Sequence, residues 1–266
     1  MFLGIGLVLV AGVVAWQLLR TPRDDRPWIP DQARVVTVQF DGDRVHLGNI
    51  RDADPRTRAP AYIEGTYDLT ALDSVWLVVA PFSEKWRGPA HTFVTFGFGG
   101  SAYLSISVEA RREVGEEYGV LAGALDRFEV LYVVGTERDL IGRRIFDAEG
   151  PTYLYPIRAT PEAIRTLFTD MLARAASLKE HPEYYNTFTN NCTSNLLHHV
   201  QPLLHDRIPT TFVTLLPGYA DGVAKKLDLI ADDADIDAAR LRYRIDGRGR
   251  PALDSADFSR VIRRSE

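Results

Sequence analysis

The chain has 266 residues, 45% hydrophobic and 25% charged, with a net charge of −5 at neutral pH. That length supports one large domain with a real core, and the mixed, mildly acidic charge excludes the basic face of a nucleic-acid binder. A single cysteine, Cys192, excludes a disulfide scaffold and a thiolate zinc site, both of which need several.

Residues 1–19 carry no charged side chain. At about 1.5 Å per helical residue they just span a hydrocarbon core of ~30 Å. No small-residue cleavage site follows and no charged n-region precedes, so a retained transmembrane anchor is expected instead of a cleaved signal. Trp16 and Trp28 suit an interfacial position. Arg20, Arg23 and Arg26 come next, and by the positive-inside rule they would hold the bulk of the chain in the cytoplasm. Residues 20–34 read as a Pro-rich, charged linker.

Val35–Phe40 and Arg44–Ile50 flank Asp41-Gly42-Asp43, a hairpin signal in which Gly supplies positive φ. Ser74–Phe82 is a largely apolar strand suited to burial on both faces. Two more strands, His91–Phe96 and Ala102–Ala110, surround Gly97-Phe98-Gly99-Gly100. In the second, Leu104, Ile106 and Val108 face one way and Tyr103, Ser105, Ser107 and Glu109 the other. The polar row either meets water or lines a cleft.

Arg127–Val134 and Tyr153–Ile157 are further strands. Thr160-Pro161 then opens a helix with N-cap and N1 residues in their preferred order, Ile164, Leu167, Phe168, Met171, Leu172, Ala175 and Leu178 form its apolar stripe, and His181-Pro182 ends it. A helix starting at Cys192 follows, with Pro202 near its end, and a shorter one spans Tyr219–Leu229. From Ala231 onward the chain is charged and reads as peripheral. Strands first and helices after predict an α+β fold, an antiparallel sheet packed against helices over residues 35–230, with 231–266 as an accessory segment.

Three features resemble sites and lack what those sites need. His198 and His199 are adjacent on a helix and point about 100° apart, which is poor for one metal ion. Gly97–Gly100 has no helix behind it and no following Lys, so it is a turn and not a phosphate loop. Asp233, Asp235 and Asp237 begin like a calcium loop, but Ala238 and Arg244 stand where Gly and Glu are required. No metal and no cofactor is expected.

Cys192 sits where the polar run Asn186-Thr187-Phe188-Thr189-Asn190-Asn191 gives way to an apolar-periodic helix. A thiol in the first turn of a helix feels the positive end of its dipole, which favours the thiolate. Acyl transfer also needs an imidazole within hydrogen-bond reach and a group to orient it. His198 and His199 lie roughly 9–10 Å along the axis from Cys192, too far for a direct bond. His91, at a strand start, is the base this reasoning selects. Glu109 is its first-choice orienting group, with Ser107 and Ser105 on the same strand face as alternatives. The Cys192 N–H would supply one oxyanion donor, and Asn190 or Asn191 a second.

The order of histidine strand, polar strand and Asn-Cys helix start resembles the circularly permuted papain-like group. More closely, Ala90-His91-Thr92-Phe93-Val94-Thr95-Phe96-Gly97-Phe98, the stretch Leu104–Glu113 and Tyr185–Thr193 resemble the Lnb N-terminal periplasmic domain family, whose members are typically membrane-anchored. The resemblance covers roughly residues 35–225. It implies a single-pass inner-membrane protein with its domain in the periplasm, against the arginine count above. It also implies thiol hydrolase chemistry but supplies no substrate; the expectation is a thiol hydrolase or acyltransferase working through a cysteine thioester, with an envelope peptide, a cell-wall fragment or a lipid as substrate. The rival expectation keeps the fold and discards the catalysis: a binding or assembly factor of the envelope whose cysteine is packed.

Overall fold

The computed structural model describes residue 12 and residues 20–147, 149–208 and 210–264. Strands β1 (Thr37–Asp41) and β2 (Arg44–Arg51) form the expected hairpin, with Gly42 at φ +59° in its turn. Next come β3 (Tyr62–Asp68), β4 (Leu72–Pro81), β5 (Ala90–Phe98) and β6 (Ala102–Arg111). Gly99 and Gly100, both at positive φ, turn β5 into β6. After α1 (Val120–Ala124) come β7 (Phe128–Gly135), α2 (Glu137–Asp147), β8 (Tyr153–Pro156) and α3 (Pro161–Glu180). The chain continues through β9 (Tyr184–Tyr185), α4 (Cys192–Val200), α5 (Thr210–Leu215), α6 (Ala220–Lys226), α7 (Ile236–Tyr243), α8 (Asp246–Gly249) and α9 (Phe258–Val261).

One nine-stranded sheet runs in the order β1-β2-β7-β6-β5-β4-β8, with β3 added to β2 and β9 to β7. Its ladders are antiparallel apart from the parallel bridge of Arg51 to Gly135 between β2 and β7. The sheet is thus mixed at one point where a purely antiparallel one was expected.

Strand alternation sorts the apolar side chains onto two faces. Val94, Phe96, Leu104, Ile106, Val108, Val130 and Tyr132 meet the stripe of α3 and the Cys192 and Leu196 positions of α4. On the other face Phe93, Leu131, Val133 and Leu154 meet Leu140, Ile141 and Ile145 of α2. Ile245, Leu253, Phe258 and Ile262 complete that second cluster, which corrects the reading of residues 231–266 as peripheral. Their apolar residues are spaced too irregularly to announce a core segment in a charged stretch.

Helix α3 starts as its sequence predicts: the Thr160 hydroxyl accepts from the Ala163 N–H at 3.2 Å and Pro161 occupies N1. The expected linker at 20–34 is packed where it runs past β6. Trp28 bridges Glu113, and Asp31 and Gln32 are buried in a short 3₁₀ turn. The expected anchor at residues 1–19 lies, apart from residue 12, outside the described residues. Among the described residues no helix is long and apolar enough to cross a membrane.

Candidate functional site

The sequence places Cys192 at a helix start, and the structure shows what holds it there. Asn191 is the N-cap of α4: its Oδ1 accepts from the N–H groups of Thr193 and Ser194, each at 2.9 Å, while Ser194 Oγ accepts from Asn191 N–H at 2.8 Å. This reciprocal capping box satisfies helix donors that would otherwise be orphaned. Asn191 Nδ2 donates to the Thr187 and Thr214 carbonyls, and Asn190 Nδ2 donates to the Tyr184 carbonyl. Both amides are committed to holding the loop, so the oxyanion-donor role expected of them has no free N–H behind it.

Cys192 is 7% exposed. Its Sγ lies 3.7 Å from Thr193 Oγ1, and Thr193 Oγ1 shares a hydrogen with Thr92 Oγ1 at 2.9 Å across to β5. Burial first, then the neighbouring Cys192 and Tyr118, raise the Tyr185 hydroxyl well above the usual phenol range. Among the described residues, the Thr193 and Tyr185 hydroxyls neighbour the thiol, and no imidazole hydrogen-bonds to it.

The structure brings His91, Ser107 and Glu109 together, on the opposite side of the sheet. His91 Nε2 lies 2.7 Å from Ser107 Oγ, which donates to Glu109 Oε1 at 3.4 Å. The His91 ring also packs on Phe93, a member of the second core cluster, with centroids 5.3 Å apart. Thr92, the next residue, points to the Cys192 side. The Cys192–His91 pair expected from sequence is therefore not formed: adjacent residues of a strand face opposite ways, and the residue facing Cys192's helix is Thr92. Ser105 shares the His91 side but is fully buried, and its Oγ has no hydrogen-bond partner.

Glu109 is not an isolated carboxylate. Arg51, 1% exposed, reaches it at 3.4 Å and also binds Asp139 of α2 at 2.8 Å, and Gln32 donates to it at 3.0 Å. Burial opposes its charge, but Arg51, then Arg143, His91 and Gln32, hold its carboxyl well below the usual range. His91 is pushed down to about 4, by burial and then by Arg144 and Arg51, with Glu109 pulling the other way. At neutral pH it is an uncharged imidazole. Arg143 binds Asp31 at 2.6 Å and faces Asp139 at 3.4 Å.

Arg143 and Arg144 are residues that sequence reasoning missed, because α2 was not read as a helix. Gly142 and six charged side chains over Glu137–Asp147 weaken its signal. The usable clue was Thr136-x-x-Asp139, in which Thr136 Oγ1 accepts from Asp139 N–H at 3.3 Å.

A third buried network joins β7 to the helices. Tyr132 Oη donates to Asn195 Oδ1 at 3.0 Å and lies 2.8 Å from His199 Nε2, and His199 Nδ1 lies 2.6 Å from Asp170. Burial lowers the His199 imidazole, against the pull of Asp170. Among the described residues no group of three or more His, Cys, Asp or Glu side chains converges as a metal site.

Between α3, α4, α5 and α6 and strands β4 and β5 lies a cavity of about 330 Å³. Val94, Leu167, Leu196, Val200, Val213 and Val223 are among its walls, and Thr92 and Thr193 are its polar points beside Cys192. The exposed segment Arg158-Ala159-Thr160 marks where it meets solvent.

Fold and site together define an α+β domain with helices on both faces of its sheet, a buried charge network on one face and an apolar cavity on the other. The sequence profile of the Lnb N-terminal periplasmic domain matches residues 58–218, well over half of the chain, and the chain belongs to that family. The family's periplasmic character supports an envelope-associated protein with a periplasmic location. No curated protein and no solved structure matches the chain. The arginines that argued for the cytoplasm are engaged in the fold: Arg26 binds Glu113 at 2.8 Å, and Arg20 lies over the Tyr184 ring.

Proposed function

We propose that this protein is a membrane-anchored, periplasmic factor that takes an acyl chain of a lipid into the cavity beside α4. The observation that carries this reading is the cavity's lining. Its volume is at the lower end of the ~300–1,000 Å³ typical of small-molecule sites, its walls are almost entirely aliphatic, and its few polar groups lie at two places. Thr92 and Thr193 mark the end near Cys192, and Arg158 with Thr160 marks the rim. A straight hydrocarbon chain with one polar end matches that pattern; a peptide or a glycan would leave backbone or hydroxyl groups unpaired against aliphatic walls.

A bilayer location fits the surface nearby. Val120, Leu121 and Phe188 are exposed, and Thr187 ties the Phe188 loop to α1 through the Val120 carbonyl. The segment that follows residues 1–19 passes close by, where Val114 N–H donates to the Pro27 carbonyl at 2.8 Å. On this reading residues 1–19 are the anchor, in a single pass through the inner membrane.

The test is binding of a fluorescent fatty acid to the full chain, with displacement by unlabelled lipid. Ala163→Phe and Ala224→Phe fill the cavity from α3 and α6. At least a tenfold loss of affinity with an unchanged melting temperature is expected. Equal binding by both variants sinks the reading.

A second reading keeps thiol chemistry on the permuted papain-like pattern, and the adjacency of Cys192 to the Thr193 end of the cavity favours it. Cys192 would attack the carbonyl of the bound acyl ester, releasing the alcohol, and pass the acyl group from its thioester to water or an amine. His91 is not the base for that step. A hydroxylamine-labile acyl adduct on Cys192, absent in Cys192→Ser, would establish it. Lipid binding without such an adduct leaves the binding function alone.

A further inference from the structure

On the face of the sheet away from Cys192, α2 lies along β5, and its contacts set its register residue by residue. Glu137 accepts from Thr95 Oγ1 at 2.6 Å. Ile141, one turn on, shares a core cluster with Phe93. Arg144 follows on the same helical stripe, seven residues and about 10.5 Å beyond Glu137. His91 lies four residues before Thr95, about 13 Å along the strand. Arg144 therefore arrives over His91, and its charge is felt there and at Glu109.

The other charges around this point are matched. Arg51 binds Asp139 and Glu109, and Arg143 binds Asp31. Arg144 is half-buried and makes no hydrogen bond or ion pair with any described residue. Beside it Arg143 keeps Nε without a hydrogen-bond partner, while its Nη2 faces Asp139 Oδ1 at 3.4 Å. Donors left open in this way are rare in a folded protein unless something fills them.

His91 complements them. The one hydroxyl proton of Ser107 is directed at the Glu109 carboxylate, so His91 Nε2–H donates to Ser107 Oγ, and Nδ1 keeps a lone pair with no hydrogen-bond partner among the described residues. A cation beside a neutral acceptor suits an anion that still carries a hydroxyl. A phosphate monoester meets that need in its monoanionic form, which dominates below its second ionisation at about 6. A carboxylate or sulfate has no proton to offer there.

We propose that Arg144 and His91 form a binding site for a phosphate monoester group, Arg144 pairing with its charged oxygens and His91 Nδ1 accepting from its remaining hydroxyl. This site is separate from the acyl-chain cavity and does not depend on it. An anion seated on Arg144 offsets the charges of Arg144, Arg51 and Arg143 that face His91. Against the standing pull of Glu109, that moves the imidazole upward from about 4.

The test is NMR titration of the His91 ring in the full chain, assigned by difference with His91→Gln, at constant ionic strength. Added inorganic phosphate is expected to move the His91 signals saturably and raise its midpoint by about one pH unit or more. Sulfate at the same concentration should do so at least tenfold more weakly. Arg144→Gln should raise the phosphate dissociation constant at least tenfold, and Arg144→Lys, which keeps the charge, should retain binding and guards against a folding artefact. Glycerol 3-phosphate acting like phosphate would assign the site to a lipid-type headgroup, and phosphate acting alone would assign it to the free anion; either supports the proposal. No saturable change, an undiminished change in Arg144→Gln, or equal effects of sulfate and phosphate would overturn it.

Discussion

Thr92 and Thr193 share a hydrogen bond of 2.9 Å between two hydroxyls that are both almost fully buried. This one contact orients the molecule's chemistry. It docks the first turn of α4 onto β5 and, by strand alternation, sends His91 to the other face. Replacing Thr92 by Val keeps the shape and strands the Thr193 hydroxyl. A loss of about 1–2 kcal/mol in urea unfolding is expected.

The separation of Cys192 from His91 also predicts thiol behaviour. Alkylation of native Cys192 should be slow, because the sulfur is buried, and its rate should be the same in wild type and His91→Ala. Iodoacetamide labelling followed by intact-mass spectrometry reads both rates. A rate that falls in His91→Ala would restore the dyad.

Arg51 is 1% exposed and holds β2 to Asp139 of α2 and Glu109 of β6. Arg51→Met should leave two carboxylates buried without their main cation. A cost of about 3–5 kcal/mol is expected, read as a fall in melting temperature. Glu109→Gln, which removes charge and keeps the Gln32 contact, should cost less.

His91 has a folded-state value near 4, below its ordinary 6.5. The unfolded chain therefore binds this proton first as the pH falls. Stability should decline between about pH 6.5 and pH 4 and level off below, by up to about 3 kcal/mol. Denaturant midpoints across that window test it, and His91→Gln should flatten the slope.

At the helix start, Asn191 accepts from two N–H groups and anchors two loop carbonyls. Asn191→Ala should cost about 1–2 kcal/mol and increase the labelling rate of Cys192, since the thiol's shielding loop loses its tie. An unchanged labelling rate would show that the loop is held by other contacts.

Much of this was readable from local pattern. The β1–β2 hairpin, the alternation of β6, the capped start of α3 and the helix beginning at Cys192 each announce themselves within a window of a few residues, where side-chain period and turn chemistry decide the backbone. The elements that escaped are those without such periodicity. Helix α2 hides its stripe of Leu140, Ile141 and Ile145 among charges that find partners only in the fold, Asp139 with Arg51 and Arg143 with Asp31. The C-terminal segment likewise contributes Ile245, Phe258 and Ile262 to a core whose other half is distant in sequence.

The candidate site divides the same way. That Ser107 and Glu109 share a face, and that Cys192 opens a helix, follow from the repeat of two in a strand and the capping residues of a helix, so the sequence alone determined them. Which face each helix covers depends on pairings between residues some hundred positions apart, such as Thr92 with Thr193. Only the tertiary structure decided that the imidazole and the thiol stand on opposite sides of one sheet, and that Ser107, not a cysteine, is the group His91 meets.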